Sequence, residues 1–242
     1  MKSVSAAVSS FPFGLFLWAS LGAQEPAKPA PAAPAKDPAL VQIADEPGLP
    51  RVLLIGDSIS MGYTLPVRAR LQGRANVHHP SENCGDTGRG LRRLDAWLGD
   101  GKWDVIHFNF GLHDLKYLDA QGNYVPPERG SQVSPLPKYE ANLRALVDRL
   151  KKTGAKLIFA TTTPVPGGTL GRVEHDELGY NETAVRVMKE SGIPIDDLHA
   201  FVVPRQQDLQ RPQNVHFTDA GYAQLGDVVT AQIEAVLPRV RP

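Results

Sequence analysis

The chain is poor in cysteine: Cys84 is the only one among 242 residues. No intrachain disulfide can form, and a structural zinc site built on cysteines is excluded. Neither sign of charge is in excess, because 26 Lys and Arg balance 26 Asp and Glu. That balance offers no basic footprint for nucleic acid and no acidic tail for a basic partner. No repeat recurs at a fixed period. After residue 23 no apolar run is long enough to span a bilayer. What remains, 42% hydrophobic and 21% charged residues, is the composition of an ordinary globular domain.

The N-terminus reads as a targeting segment. Lys2 is the sole early charge, residues 11–18 are apolar, and the small residues Ala19, Ser20, Gly22 and Ala23 follow. A short apolar stretch before small residues is the pattern of a cleaved export signal, here 1–23. An uncleaved N-terminal anchor is the alternative. The expected location is therefore exported, periplasmic or extracellular. Residues 24–48 are rich in Ala, Pro and Lys and predict an extended linker. The folded domain is expected over 49–242, ample for one core.

Within that domain, apolar runs alternate with amphipathic segments. Strands are expected at 52–55 (VLLI), 76–79, 105–110 (VIHFNF), 157–160 and 195–198. Helices are expected at 61–71 with Pro66 in the first turn, and at 88–98, 139–152 and 177–190. A last helix, capped by Thr218, is expected to run through Val236. Such alternation predicts an α/β/α sandwich around a parallel sheet, whose chemistry lies beyond the carboxyl ends of the strands.

Four turns lie at those ends. Gly56-Asp57-Ser58 follows the first strand. A serine there exposes its Oγ, and its N–H sits where a helix start favours an oxyanion. The bland alternative is a helix-capping serine. Neither a G-x-S-x-G elbow nor a phosphate-binding loop is present. Asn83-Cys84-Gly85-Asp86 follows the second strand, and Gly85 lets a backbone N–H approach a ligand. No cysteine-enzyme motif surrounds Cys84. Gly111-Leu112-His113-Asp114 follows the third strand. His113 can donate a ring N–H, and Asp114 can fix its tautomer or brace the loop. His216 precedes the last helix and can act as base to Ser58.

Taken in order, these motifs make the chain resemble the SGNH (GDSL-like) hydrolase family over about 51–226. The resemblance implies a flavodoxin-like five-stranded parallel sheet. It implies a serine ester hydrolase working through an acyl-enzyme on Ser58, with His216 as base. Ser58, Gly85 and His113 would form the oxyanion hole, with Asp57 and Asp114 in support and no cofactor or metal. Two positions depart from the family pattern. His113 stands where the family has asparagine in Gly-x-Asn-Asp. Gln213 stands where it has the aspartate three residues before the histidine. A protonated His113 would hold an oxyanion more strongly at low pH. The support lost at Gln213 would come from a backbone carbonyl or from another carboxylate, Asp208 before Asp219.

The export signal and the aromatic residues Tyr117 and Tyr124 in the long 115–137 loop point to an O-acylated carbohydrate ester as partner. No nucleic acid, and no stable membrane span after signal cleavage, is expected. The alternatives are a non-catalytic carbohydrate-binding protein on the same fold and an O-acyltransferase. His107 reads as a core residue, and His78 and His79 as strand-end residues without a metal. Arg89, Arg92 and Arg93 read as a solvated basic face from which Arg89 can reach an anionic substrate. Trp97 and Trp103 read as packing residues.

Overall fold

In the computed structural model the described residues are 37–238, with Met1 and Ser3. The chain divides into two units, 1–35 and 36–242, and the described residues from Asp37 on belong to the second. The export segment expected over 1–23 lies outside the described residues but for Met1 and Ser3, as does the stretch 24–36.

The second unit begins with strand β1 (Arg51–Ile55), whose last four residues are buried. An unbroken apolar run is what a strand covered on both faces requires. Helix α1 (Ser58–Arg70), strand β2 (Asn76–His78), helix α2 (Thr87–Leu98) and strand β3 (Val105–Phe108) follow. A small hairpin of β4 (Tyr117–Leu118) and β5 (Ser131–Gln132) comes next. Then come α3 (Leu136–Lys151), β6 (Lys156–Ala160), α4 (Glu177–Ser191), β7 (Ile195–Asp196), α5 (Leu198–Val202), α6 (Gln206–Leu209) and α7 (Asp219–Val236). The main sheet has five strands in the order β2-β1-β3-β6-β7, every pairing parallel. That order, with its reversal at β1/β3, is the flavodoxin-like arrangement. Helices flank the sheet in two packed groups, α1 with α7, and α2 with α3 and α4.

Several expectations change. Helix α1 starts three residues before the expected position, so Pro66 lies inside it and not in its first turn. Packing makes the proline tolerable. A Cβ on Gly226 of α7 would come 2.5 Å from the Pro66 Cβ, so the two helices touch closely there. β7 ends at Asp196 because Asp197 caps α5 by accepting from the Ala200 N–H at 3.1 Å. The 115–137 loop carries the β4–β5 hairpin, which its sequence did not announce.

Residues 37–48 are not an extended linker. Asp37 caps a 3-10 turn, Pro38–Leu40, and Ala39 is buried. Arg68 donates to the carbonyls of Pro38 and Val41, both at 3.2 Å. Gln42 donates to the His79 carbonyl at 2.9 Å, and the Glu46 N–H donates to Asn76 Oδ1 at 2.8 Å. These bonds cover β2, an edge strand of the sheet. Among the described residues no helix is long and apolar enough to cross a membrane.

Candidate active site

Asp57 is the N-cap of α1, its carboxylate accepting the Ile59 N–H at 2.9 Å. The capping role therefore falls to Asp57, and Ser58 is the first helical residue with its hydroxyl released. At that position the Ser58 N–H has no intrahelical acceptor. Gly56 before it cannot carry a side chain. A Cβ there would sit 2.8 Å from the Ser60 Cβ.

The pairing of α1 with α7 sets what stands opposite Ser58. Gly62 faces Tyr222, Pro66 faces Gly226, and Arg70 pairs with Asp227. Followed back one turn, this parallel register sets the start of α1 against the start of α7. His216 lies just before that start, on a loop closed by two backbone bonds. Thr218 N–H donates to the Leu209 carbonyl and Arg211 N–H to the His216 carbonyl, both at 2.9 Å.

Ser58 Oγ is 2.8 Å from His216 Nε2. On the other side of the ring, His216 Nδ1 is 2.7 Å from Asn214 Oδ1. The same Oδ1 accepts the His216 backbone N–H at 3.0 Å. A backbone N–H can only donate, so this Asn214 atom is the carbonyl oxygen and Nδ1 must carry the ring proton. Nε2 is then the unprotonated nitrogen, facing the serine. Burial, then the charges of Arg172 and Arg211, push the His216 pKa below the ordinary value. The support for the histidine is thus a side-chain amide. It is neither a backbone carbonyl nor Asp208, and Asp219 lies in the first turn of α7. Gln213 adopts φ +53° at the loop tip, with its side chain against Gly168. The signal for Asn214 was present in Asn-Val-His, since an asparagine commonly accepts the N–H two residues on.

His113 Nδ1 is 3.2 Å from Lys116 Nζ. An ammonium has no acceptor, so Nδ1 takes the hydrogen bond and Nε2 carries the proton. Burial, then the charges of Lys116 and Arg172, hold the His113 pKa down to about 3. With its pKa held that low, His113 is a neutral donor at mildly acid pH. Lys116 sets its tautomer. Asp114 braces the loop, accepting from Thr87 N–H at 3.0 Å and Thr87 Oγ1 at 2.5 Å. Burial pushes the Asp114 carboxyl up to about 7. Gly85 has φ +65°, which a side chain would strain, and its N–H donates to Asn83 Oδ1 at 2.9 Å. Ser58, His113 and His216 share the wall of a cavity of about 220 Å³ with Asn83, Tyr124 and Arg172. Gly85 is not on that wall.

Residues 54–224 match the model of the GDSL-like Lipase/Acylhydrolase family. The chain belongs to this family. It is an ester-hydrolysing enzyme on a fold shared with solved esterases. A lipase/acylhydrolase from Enterococcus faecalis superposes with a TM-score of 0.63 at 20% identity, over 80% of this chain and 100% of that one. An acetylxylan esterase from Geobacillus stearothermophilus gives 0.61 at 20% identity, over 76% and 94%. The acetyl xylan esterase AlAXEase gives 0.62 at 16% identity, over 76% and 99%. A search of curated proteins finds no match.

This GDSL-like hydrolase holds a second Ser–His contact directly behind the first. Ser60 Oγ is 2.8 Å from His79 Nε2 and 2.8 Å from the Asp57 carbonyl oxygen. His79 Nδ1 is 2.8 Å from the Pro80 carbonyl. Both residues are buried, and desolvation pushes the His79 pKa down to about 4. His78 bonds Asp45 at 2.6 Å. His107 bonds Asp196 at 3.0 Å in the core. Cys84 is buried, and burial pushes its thiol up. Arg89 and Arg93 do not form a free basic face, because both pair with Glu82, which also accepts from Trp97 Nε1 at 2.7 Å. Among the described residues no group of three or more His, Cys, Asp or Glu side chains could hold a metal ion. A larger cavity, about 450 Å³, lies near Asp45, Trp97 and Trp103. It contains neither Ser58 nor His216.

Proposed function

We propose that the enzyme hydrolyses an O-acyl ester of a carbohydrate through an acyl-enzyme on Ser58. The observation that carries this reading is the 2.8 Å contact from Ser58 Oγ to an unprotonated His216 Nε2 on a cavity wall. Ser58 Oγ attacks the ester carbonyl carbon and its proton passes to Nε2. The Ser58 N–H and the His113 Nε2–H stabilise the tetrahedral oxyanion. The Gly85 N–H joins them if the oxyanion displaces Asn83 Oδ1. The C–O bond to the alcohol breaks, and Nε2 returns the proton to the alcohol oxygen. Water then attacks the acyl-Ser58 carbonyl carbon and gives a proton to Nε2; the Ser58 Oγ–acyl bond breaks, Nε2 returns that proton to Oγ, and the acid leaves. Asn214 Oδ1 holds the ring throughout and accepts from the imidazolium.

The carbohydrate part of the proposal draws on the two acetylxylan esterases among the similar structures and on Tyr124 at the cavity. The test is acetate release from acetylated xylooligosaccharides and from p-nitrophenyl acetate, beside Ser58→Ala, with a fluorophosphonate probe mapped by mass spectrometry. Labelling at Ser58 and loss of turnover in the variant are expected. Equal turnover in both proteins would overturn the nucleophile assignment. We further propose that residues 1–23 direct export, so that the mature chain starts near Gln24. An intact N-terminus on exported protein would overturn the cleavage.

A further inference from the structure

The catalytic cavity carries one cationic side chain that the hydrolytic steps do not use. Arg172 arrives on the loop after β6 and reaches the same wall as Ser58 and His216. Its Nε donates to the Leu112 carbonyl at 3.0 Å, which fixes the guanidinium beside the oxyanion corner. Its Cζ lies 5.6 Å from the centre of the Tyr124 ring, and Lys116 Nζ lies 5.2 Å from the same ring. Among the described residues neither cation forms a salt bridge with a carboxylate. That sets them apart from Arg89, Arg93, Arg144 and Arg186, all of which are paired. The one acidic side chain on the cavity wall is Asp57, and it is buried and engaged as the cap of α1.

Half-buried and unpaired, a guanidinium beside a nucleophile is costly unless an anion completes it. Its planar fork fits a carboxylate in particular. Its field is felt at the site, since it helps depress both histidines. A cationic cavity also attracts an anionic ester from solution.

The geometry points to Arg172, seconded by Lys116, as the specificity residue for an ester whose substrate bears a carboxylate near the scissile bond. This deepens the esterase reading and rests on it. The carboxylate can belong to the sugar, as in an acetylated uronic acid, or to the acyl group, as in a dicarboxylic half-ester.

The test compares kcat/KM within two matched pairs. One pair is p-nitrophenyl hemiglutarate against p-nitrophenyl acetate. The other is O-acetylated galacturonic acid against its methyl ester. A preference for the charged member of tenfold to about a hundredfold is expected in one pair, the range that a hydrogen bond to a charged group supplies. Which pair shows it tells which side of the ester carries the carboxylate. In Arg172→Gln the preference should collapse to about twofold or less, with partial recovery in Arg172→Lys. A merely structural role, holding the Leu112 carbonyl, would lower both members of a pair alike and leave the ratio untouched. No preference in the wild type, or a preference surviving in Arg172→Gln, would overturn the inference. Binding of galacturonate and glutarate to Ser58→Ala, read from the His216 ring proton signals, gives a readout without turnover. If no ester is cleaved, the esterase mechanism on Ser58 fails by itself. Carboxylate binding that disappears in Ser58→Ala/Arg172→Gln would still support the anion site, and absent binding would end it.

Discussion

Two serine–histidine contacts of equal length lie two residues apart on the same turn. Ser58 Oγ and Ser60 Oγ are each 2.8 Å from an imidazole Nε2. In both, the far nitrogen meets an oxygen, Asn214 Oδ1 for His216 and the Pro80 carbonyl for His79. Their surroundings differ. Ser58 opens onto a cavity with a neutral imidazole donor and a guanidinium on its wall. Ser60 and His79 are 2% and 0% exposed, and Ser60 Oγ lies between His79 Nε2 and the Asp57 carbonyl, under the turn that carries Ser58. A serine within reach of a histidine is therefore not by itself a nucleophile. What separates the two is the cavity beside Ser58, with the neutral His113 imidazole on its wall. The buried pair has the different job of holding the turn that presents Ser58.

The comparison breaks most sharply at the serines. Ser58→Ala should lower kcat by about 10⁵-fold or more, whereas Ser60→Ala should lower it by less than about tenfold. Ser60→Ala should instead cost on the order of 1–3 kcal/mol of stability, because it strips the buried His79 of its partner. Steady-state rates and urea midpoints on both variants separate these outcomes. A collapse of kcat in well-folded Ser60→Ala would erase the distinction.

The next effect concerns the donor that only one pair possesses. His113→Ala should cost about 10²–10³ in kcat, the usual loss for one oxyanion donor. His113→Asn, which keeps a neutral donor, should recover most of that. Because His113 stays neutral down to about pH 3, the ratio of His113→Asn to wild-type rates should be flat between pH 5 and 8. A ratio that falls as the pH drops would show a charged His113.

Acid stability probes the buried pair. The His79 pKa is about 4 in the folded protein, against an ordinary value near 6.5. The unfolded chain takes up the proton first. This contribution is therefore intact above about pH 6.5 and is lost as the pH falls toward 4, on the order of 3 kcal/mol. Urea midpoints at pH 7 and pH 4 should fall further in the wild type than in His79→Gln. Equal losses would place the acid sensitivity elsewhere.

The smallest effect lies at the amide behind His216. The His216 pKa is depressed, so the acid limb of kcat/KM should fall below about 6.5. Asn214→Asp places an anion on Nδ1–H, and should move that limb upward and raise kcat by up to about tenfold. The gain stays modest because Asn214 already fixes the correct tautomer, which avoids the roughly 10⁴-fold loss seen when an asparagine leaves the wrong one. A downward shift of the limb would contradict the assigned contact.

The apolar strand runs and the start of α7 at Thr218 could be read from local pattern, as could Ser58 and His216 from their place at strand and helix ends. The β4–β5 hairpin could not, because two-residue strands carry too little periodicity. Residues 37–48 looked like a linker by composition, yet Arg68, Gln42 and Asn76 bind their backbone. Arg172 stood in a loop without a motif. Its importance comes from Leu112 and Tyr124, 60 and 48 positions away in the chain.

The sequence by itself determined the order of the elements, the turn that presents Ser58 and the histidine that faces it. These follow from buried apolar runs and from short capping and glycine signals, which act over a few residues. Tertiary structure alone decided that Asn214 supports His216, that His113 stays neutral through Lys116 and burial, and that Ser60 is locked while Ser58 is open. Proton position and charge state depend on desolvation and on partners brought together from distant positions, and no local pattern encodes those.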